Sequence, residues 1–143
     1  MAVRDAEPGD TEQICAMIEE HARYEGNDQL SLDRAEMHGH LFGPDPTAWV
    51  LLAEVDGHAA GFALCCWNFS TWQAQPGIWM DDLFIRPDYR RHGLARELMT
   101  ALRARTSGRI EWEMSEGNAK AEAFYQALGA EPVHGWVQYR WQP

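Results

Sequence analysis

Residues 88–99 read DYRRHGLARELM: two arginines, a histidine and one glycine stand directly before Leu94, Leu98 and Leu102, apolar positions at helical spacing. Ahead of them, MDDLFI at 80–85 closes a run, Ile78–Ile85, that reads as a strand. Strand, short turn, helix is the geometry of an anion site. The first N–H groups of a helix have no partner inside it, and the helix macrodipole is positive there. Gly93 lets a bulky anion approach the backbone, and Arg90 and Arg91 can add charge-assisted contacts. The spacing is neither G-x-x-x-x-G-K-[ST] nor G-x-G-x-x-G, which disfavours a nucleoside triphosphatase or a dinucleotide site. Taken alone, the turn fits equally well a glycine that packs a helix on a strand beside solvated arginines.

The flanking sequence supplies the rest of a sheet. Ala2–Asp5 reads as a short strand, and PGDTEQICAMIEEHARYE spaces Ile14, Met17, Ile18 and His21 helically behind Asp10 or Thr11 as cap. A second helix is expected over Leu32–Leu41. Thr47–Val55 and Ala60–Phe69 are strands joined by the hairpin turn VDGH at 55–58 and followed by Ile78–Ile85, which makes an antiparallel meander. Arg91–Arg105 is a helix with Leu94, Leu98, Ala101 and Leu102 on one face, and Arg109–Met114 is the next strand. Asn118 caps a helix that runs to Leu128 and is closed by Gly129, and Val133–Trp141 supplies one or two last strands. The class is α+β (mixed α/β), with helices covering a central sheet in a single domain over 1–143.

With 12 basic and 22 acidic residues the formal net charge is −10, which repels nucleic acid and anionic lipid. Eleven of the twelve bases are arginines, Lys120 being the single lysine, and a dense set lies at 86–105. A local basic patch on an acidic protein suggests two ligands of opposite sign. Cys15, Cys65 and Cys66 are odd in number and fit no zinc spacing, which points to a reducing cytoplasm. The first ten residues have no apolar core, so a signal peptide is not expected. His38-Gly-His40 offers two imidazoles without a third ligand, so no metal is expected. Cys65 and Cys66 lack a nearby base and read as packing rather than as nucleophiles.

R-x-x-G-x-A at Arg90–Ala95, behind MDDLFI, resembles the Q/R-x-x-G-x-G/A pattern of the GNAT superfamily of N-acetyltransferases. EGNAKAEAFYQALGA at 116–130 is similar to that family's second signature, an Asn opening a helix that carries Phe-Tyr and ends in Leu-Gly-Ala. The resemblance implies a central, mostly antiparallel twisted sheet of about six to seven strands flanked by about four helices, as that family has. It also implies acetyl-CoA as the cofactor, its pyrophosphate being the anion. The assigned cofactor residues are Leu83, Phe84 and Ile85 on the strand, Arg90, Arg91, His92, Gly93, Leu94 and Ala95 at the turn, and Asn118 and Lys120 at the last helix.

A narrower resemblance, to the diamine acetyltransferase subgroup that includes spermidine/spermine and thialysine acetyltransferases, rests on ARYE at 22–25, the Trp72 segment, DDLFI, DYRRHGLA, NAKAEAFY and GW at 135–136. Ala95 and Arg91 stand where that subgroup usually has glycine, and Asn118 lacks the acidic-Pro pair that usually follows it. By similarity, Tyr125 would donate a proton to the departing thiolate, since a phenol near pKa ~10 can protonate a thiolate near ~8.5. Asp81 and Asp82 alternate sides of a regular strand, and the resemblance favours Asp81 as the catalytic contact to the amine. Tyr24, Glu25, Asp28, Trp72, Asp81 and Asp82 would form a cation site with Trp72 as its aromatic wall. The expected activity is acetyl transfer to a primary amine of a small cationic molecule, by a homodimer. An acetyltransferase for protein N-termini or lysines, and a non-catalytic acyl-CoA sensor, are the alternatives.

Overall fold

In the computed structural model, which describes residues 2–143, β1 (Ala2–Asp5) is followed by α1 (Thr11–Tyr24), α2 (Arg34–Phe42), β2 (Trp49–Val55) and β3 (His58–Ser70). Then come β4 (Gln75–Ile85), α3 (Leu94–Arg103), β5 (Ile110–Glu111) and α4 (Ala119–Ala127). The chain divides into two compact units, Met1–Glu113 and Met114–Pro143. In the first unit the five strands form one sheet in the order β1-β2-β3-β4-β5, antiparallel except for the β4–β5 pair. The VDGH turn is the expected hairpin: Asp56 and Gly57 have φ of 51° and 77°, the left-handed pair whose twist matches that of the flanking strands.

Alternation along the strands sorts the core. Val50, Leu52, Phe62 and Phe84 face α1 and α2, where Ile14, Met17 and Leu41 complete a buried cluster. Leu51, Ala53, Ala63 and Cys65 point to the opposite face, and α3 packs on β2, β3 and β4 with Leu94, Leu98 and Leu102 buried. The β4 strand carries one irregularity. Leu64 of β3 pairs with Asp82 and Cys65 with Met80, so Asp81 is an extra residue without a partner on β3. The bulge resets the alternation: Ile78 and Met80 lie on the face of Cys65, whereas Asp82 and Phe84 lie on the face of Leu64 and α1.

Several boundaries differ from the sequence reading. The sheet has five strands rather than six or seven, because the expected strand at Arg109–Met114 shrinks to Ile110–Glu111 and none forms over Val133–Trp141. Val137, Tyr139 and Trp141 do alternate with polar residues, but a strand requires a hydrogen-bonding neighbour, and among the described residues none pairs with them. Helix α3 begins at Leu94 rather than Arg91, since Arg91 and Gly93 take φ of 69° and 79°, outside the right-handed helical region. Asp10 occupies the N-cap position of α1 without capping it. Its carboxylate instead accepts from Arg4 Nη1 at 2.8 Å and from the Glu7 amide at 2.6 Å. In the second unit Asn118 caps α4 as expected, its Oδ1 accepting from the Ala121 amide at 3.1 Å, and Gly129 follows with φ of 92°.

Gly61 fixes how closely β3 approaches the end of β4. A Cβ built there would lie 2.6 Å from the Phe84 carbonyl oxygen and 2.5 Å from Ile85 Cδ1. Gly61→Val should therefore destabilise the fold by about 1–3 kcal/mol through overpacking. The expected observation is a lower midpoint in urea unfolding with an unchanged slope.

Candidate active site

The end of β4 is where the sheet opens. β3 follows β4 as far as Ile85, but β5 pairs with it only at Ile78 and Trp79. The β5-side edge of residues 80–85 thus has no strand partner among the described residues. The Ile85 carbonyl lies on this edge and accepts from Arg90 Nε at 2.8 Å. Because N–H and C=O of one residue in an antiparallel strand point the same way and alternate along it, Leu83 presents its backbone groups to the same edge. The side chain of Phe84 is core: it is 3% exposed and sits among Phe62, His21 and Tyr24.

Past a short helical turn at Pro87–Tyr89, the chain enters α3 through Arg91, His92 and Gly93, all exposed. Gly93 is the N-cap, and its carbonyl accepts from the Glu97 amide at 3.0 Å. A Cβ on Gly93 would meet no atom within 4 Å, so the turn is an open cradle before the unpaired N–H groups of Leu94, Ala95 and Arg96. Leu94 buries its side chain and Ala95 half of its own, which leaves their amides as the groups available to an anion. The charged and hydrogen-bonding groups here fit a pyrophosphate.

A cluster of opposite sign lies where α1 ends. His21 Nε2 is 3.6 Å from Asp82 Oδ1, with the two side chains 24% and 22% exposed. Burial pushes the Asp82 carboxyl above its ordinary range, neighbouring Asp81 and Glu25 push it further, and His21 opposes them. Asp82 thus feels two further carboxylates, Asp81 and Glu25, with the His21 imidazole as the group that opposes them. Arg90 stacks its guanidinium 4.7 Å from the Tyr24 ring centroid, and Tyr24 packs on Phe84 at 5.9 Å. A cleft of about 390 Å³ opens beside them, lined by Glu20, Arg23, Tyr24, Phe84 and Pro87. Arg86 bolts α1 to this end of the sheet, its Nε donating to Glu20 Oε2 at 3.0 Å and its Nη1 to the Ala59 carbonyl at 2.9 Å.

Not every residue named from the sequence joins this cluster. Asp28 lies in the exposed segment after α1, where it accepts from Gln29 Nε2 at 3.2 Å. Trp72 is 80% exposed at the tip of the β3–β4 hairpin, nine residues before the bulge, with on the order of 20 Å of strand from Gln75 to Asp81 between them. In the second unit, Lys120 is exposed on the first turn of α4, and Tyr125 is half-buried against the Phe124 ring, its hydroxyl pushed above the usual phenol range by burial. His21 was legible only as part of a helix face. Its spacing of three and four residues from Tyr24 and Glu25 was the signal that could have placed it at the site. Cys65 is inert, burial pushing its thiol up to about 12. His38 hydrogen-bonds Thr11 Oγ1 at 2.7 Å.

Residues 12–130 match the family model described as "Acetyltransferase (GNAT) family". The chain is similar to a thialysine N-epsilon-acetyltransferase of Caenorhabditis elegans, 31% identical with 93% of this chain and 86% of the relative covered. It is also similar to that of Bos taurus, 26% identical with 98% and 91% covered. Among solved structures, a possible acetyltransferase from Clostridium difficile 630 superposes with a TM-score of 0.83 at 16% identity, covering 99% of this chain and 97% of the other, which establishes the shared fold.

Asp82 gives a test of the cluster's electrostatics. Its proton affinity is higher in the folded protein than in the unfolded chain, so the ionised carboxylate weakens folding as pH rises through and above that interval. Asp82→Asn should unfold at a higher temperature than the wild type at pH 7. The gain should shrink as pH falls into the ordinary carboxylate range, where both forms are neutral, as differential scanning calorimetry across pH would record.

Proposed function

Because the chain belongs to the GNAT acetyltransferase family, we propose that this acyltransferase moves an acetyl group from acetyl-CoA to a primary amine of a small cationic molecule, of the polyamine or thialysine-like class. The observation that carries this reading is the pairing of an open Gly93 cradle with the carboxylate cluster around Asp82 across the unpaired end of β4. The thialysine N-epsilon-acetyltransferases among the relatives support the choice of amine.

In this reading the exposed amides of α3 and the Arg90 and Arg91 side chains hold the pyrophosphate, while Leu83 and Ile85 offer backbone partners to the pantetheine arm. Arg90 Nε already serves the Ile85 carbonyl, which leaves its terminal nitrogens for the anion. Asn118 and Lys120 at the start of α4 are further cofactor contacts. Bound acetyl-CoA supplies an acetyl group activated as a thioester. Asp81, Asp82 and Glu25 receive the cationic amine, with Tyr24 as an aromatic wall. Tyr125 holds a proton at its hydroxyl for the departing sulfur; burial raises that phenol further above its ordinary range. The reading carries a homodimer working in the cytoplasm. Among the described residues no helix is long and apolar enough to cross a membrane.

Incubation with acetyl-CoA and a panel of diamines, amino acids with side-chain amines, and lysine peptides tests the reading, with free thiol as the readout. Thiol release with the small diamines or amino acids is expected, and release with peptides alone would overturn the substrate class. Gly93→Glu should abolish acetyl-CoA binding measured by calorimetry, since its side chain fills the cradle. Gly93→Ala, which carries the same backbone strain at φ of 79° but little bulk, should retain part of it. Tyr125→Phe should lower turnover by roughly 10²–10⁴-fold with little change in cofactor affinity, as steady-state kinetics and calorimetry together would report.

A further inference from the structure

An amine meets this site as an ammonium ion and must lose a proton before its nitrogen can attack. Two carboxylates sit side by side at the bulge, and their surroundings differ. Asp81 is exposed and belongs to neither ladder position of β3, whereas Asp82 is paired opposite Leu64, faces α1 and keeps only 22% of its side-chain surface. His21 comes to it from α1, ring against Phe84 at 5.2 Å and Nε2 3.6 Å from Oδ1. That separation is too long for a hydrogen bond and within reach of an ion pair.

We infer that His21 is a positioning residue of the amine site, holding the Asp82 carboxylate ionised and in place so that Asp82, rather than Asp81, takes the proton of the bound ammonium. The inference rests on the amine acetylation proposed above. In the step, one N–H bond breaks, its electron pair stays on nitrogen, the proton bonds to an Asp82 oxygen and later leaves to water. Burial, Asp81 on the same strand and Glu25 at the end of α1 all drive Asp82 towards its neutral form, in which it can accept nothing. His21 is the group that opposes them. The other charged neighbours are already engaged: Arg90 lies over Tyr24 and Phe84, and Arg86 pairs with Glu20. A carboxylate with raised proton affinity that is nonetheless kept charged is a better proton acceptor than an ordinary exposed one.

His21→Gln, which keeps bulk and polarity but cannot carry charge, separates this role from a structural one. The Asp82 carboxyl carbon, followed by NMR, should titrate at higher pH in His21→Gln than in the wild type. The acid limb of kcat/KM should move up with it, costing up to tenfold in rate at low pH for each unit of displacement, while the alkaline plateau stays within about threefold. His21→Lys, a permanent cation, should return the limb to the wild-type position or below. An unmoved limb and carboxyl titration, an equal loss at every pH, or a lysine variant that behaves like glutamine would each overturn the inference. A wild type that releases no thiol with any amine would overturn the proposed function and the inference with it, whereas an active wild type with an unmoved His21→Gln profile overturns the inference alone.

Discussion

The single extra residue in β4 governs the architecture of the site. Backbone N–H and C=O groups must be paired, and in a regular sheet β4 would be consumed on both edges. Here β3 uses one edge throughout and, among the described residues, β5 uses the other only at Ile78 and Trp79, after which the bulge at Asp81 turns the strand and leaves Leu83 and the Ile85 amide without a strand partner. The same residue count sets which side chains face α1. Had the strand alternated strictly from Ile78, Asp82 and Phe84 would share a face with Ile78 and Met80 beneath α3. With the bulge they meet His21 and Tyr24 instead.

The turned strand end separates charge over a short distance. One side carries the Gly93 cradle with Arg90, Arg91 and His92, suited to an anion. The other carries Glu25, Asp81 and Asp82, suited to a cation. Arg90 spans the two, its Nε fixed to the Ile85 carbonyl and its guanidinium resting on the Tyr24 ring at the end of α1. A formal charge of −10 with a local arginine cluster is the composition-level trace of this division.

Rigidity around the site comes from ordinary packing. The α1 helix is pressed on Phe62 and Phe84 by Ile14 and Met17, and Arg86 ties it to the Ala59 carbonyl and Glu20. Gly61 lets β3 lie against the last turn of β4 without a side chain between them. Asp28, in the exposed segment after α1, and Trp72, at the hairpin tip, lie outside this framework.

Local chemistry made much of the fold readable from the residues alone. Helical spacing in α1 and α3, the Asp-Gly hairpin, the Asn118 cap and the strand-turn-glycine-helix order each depend on residues close in sequence, and each forms at or near its expected place. The left-handed Arg91 is the exception on that scale, because nothing in an arginine announces a positive φ. The unmade strand at Val133–Trp141 shows the limit of pattern: alternation prescribes a face, but only a neighbour makes a ladder. The His21–Asp82 pairing lay beyond sequence for a related reason. The two residues are sixty-one positions apart, and they face each other only because one unpaired residue shifts the register of β4. The sequence by itself determined the elements, the anion turn and the supply of acids. Tertiary structure decided which acid is half-buried and which histidine answers it, since burial and register arise from how distant strands and helices pack.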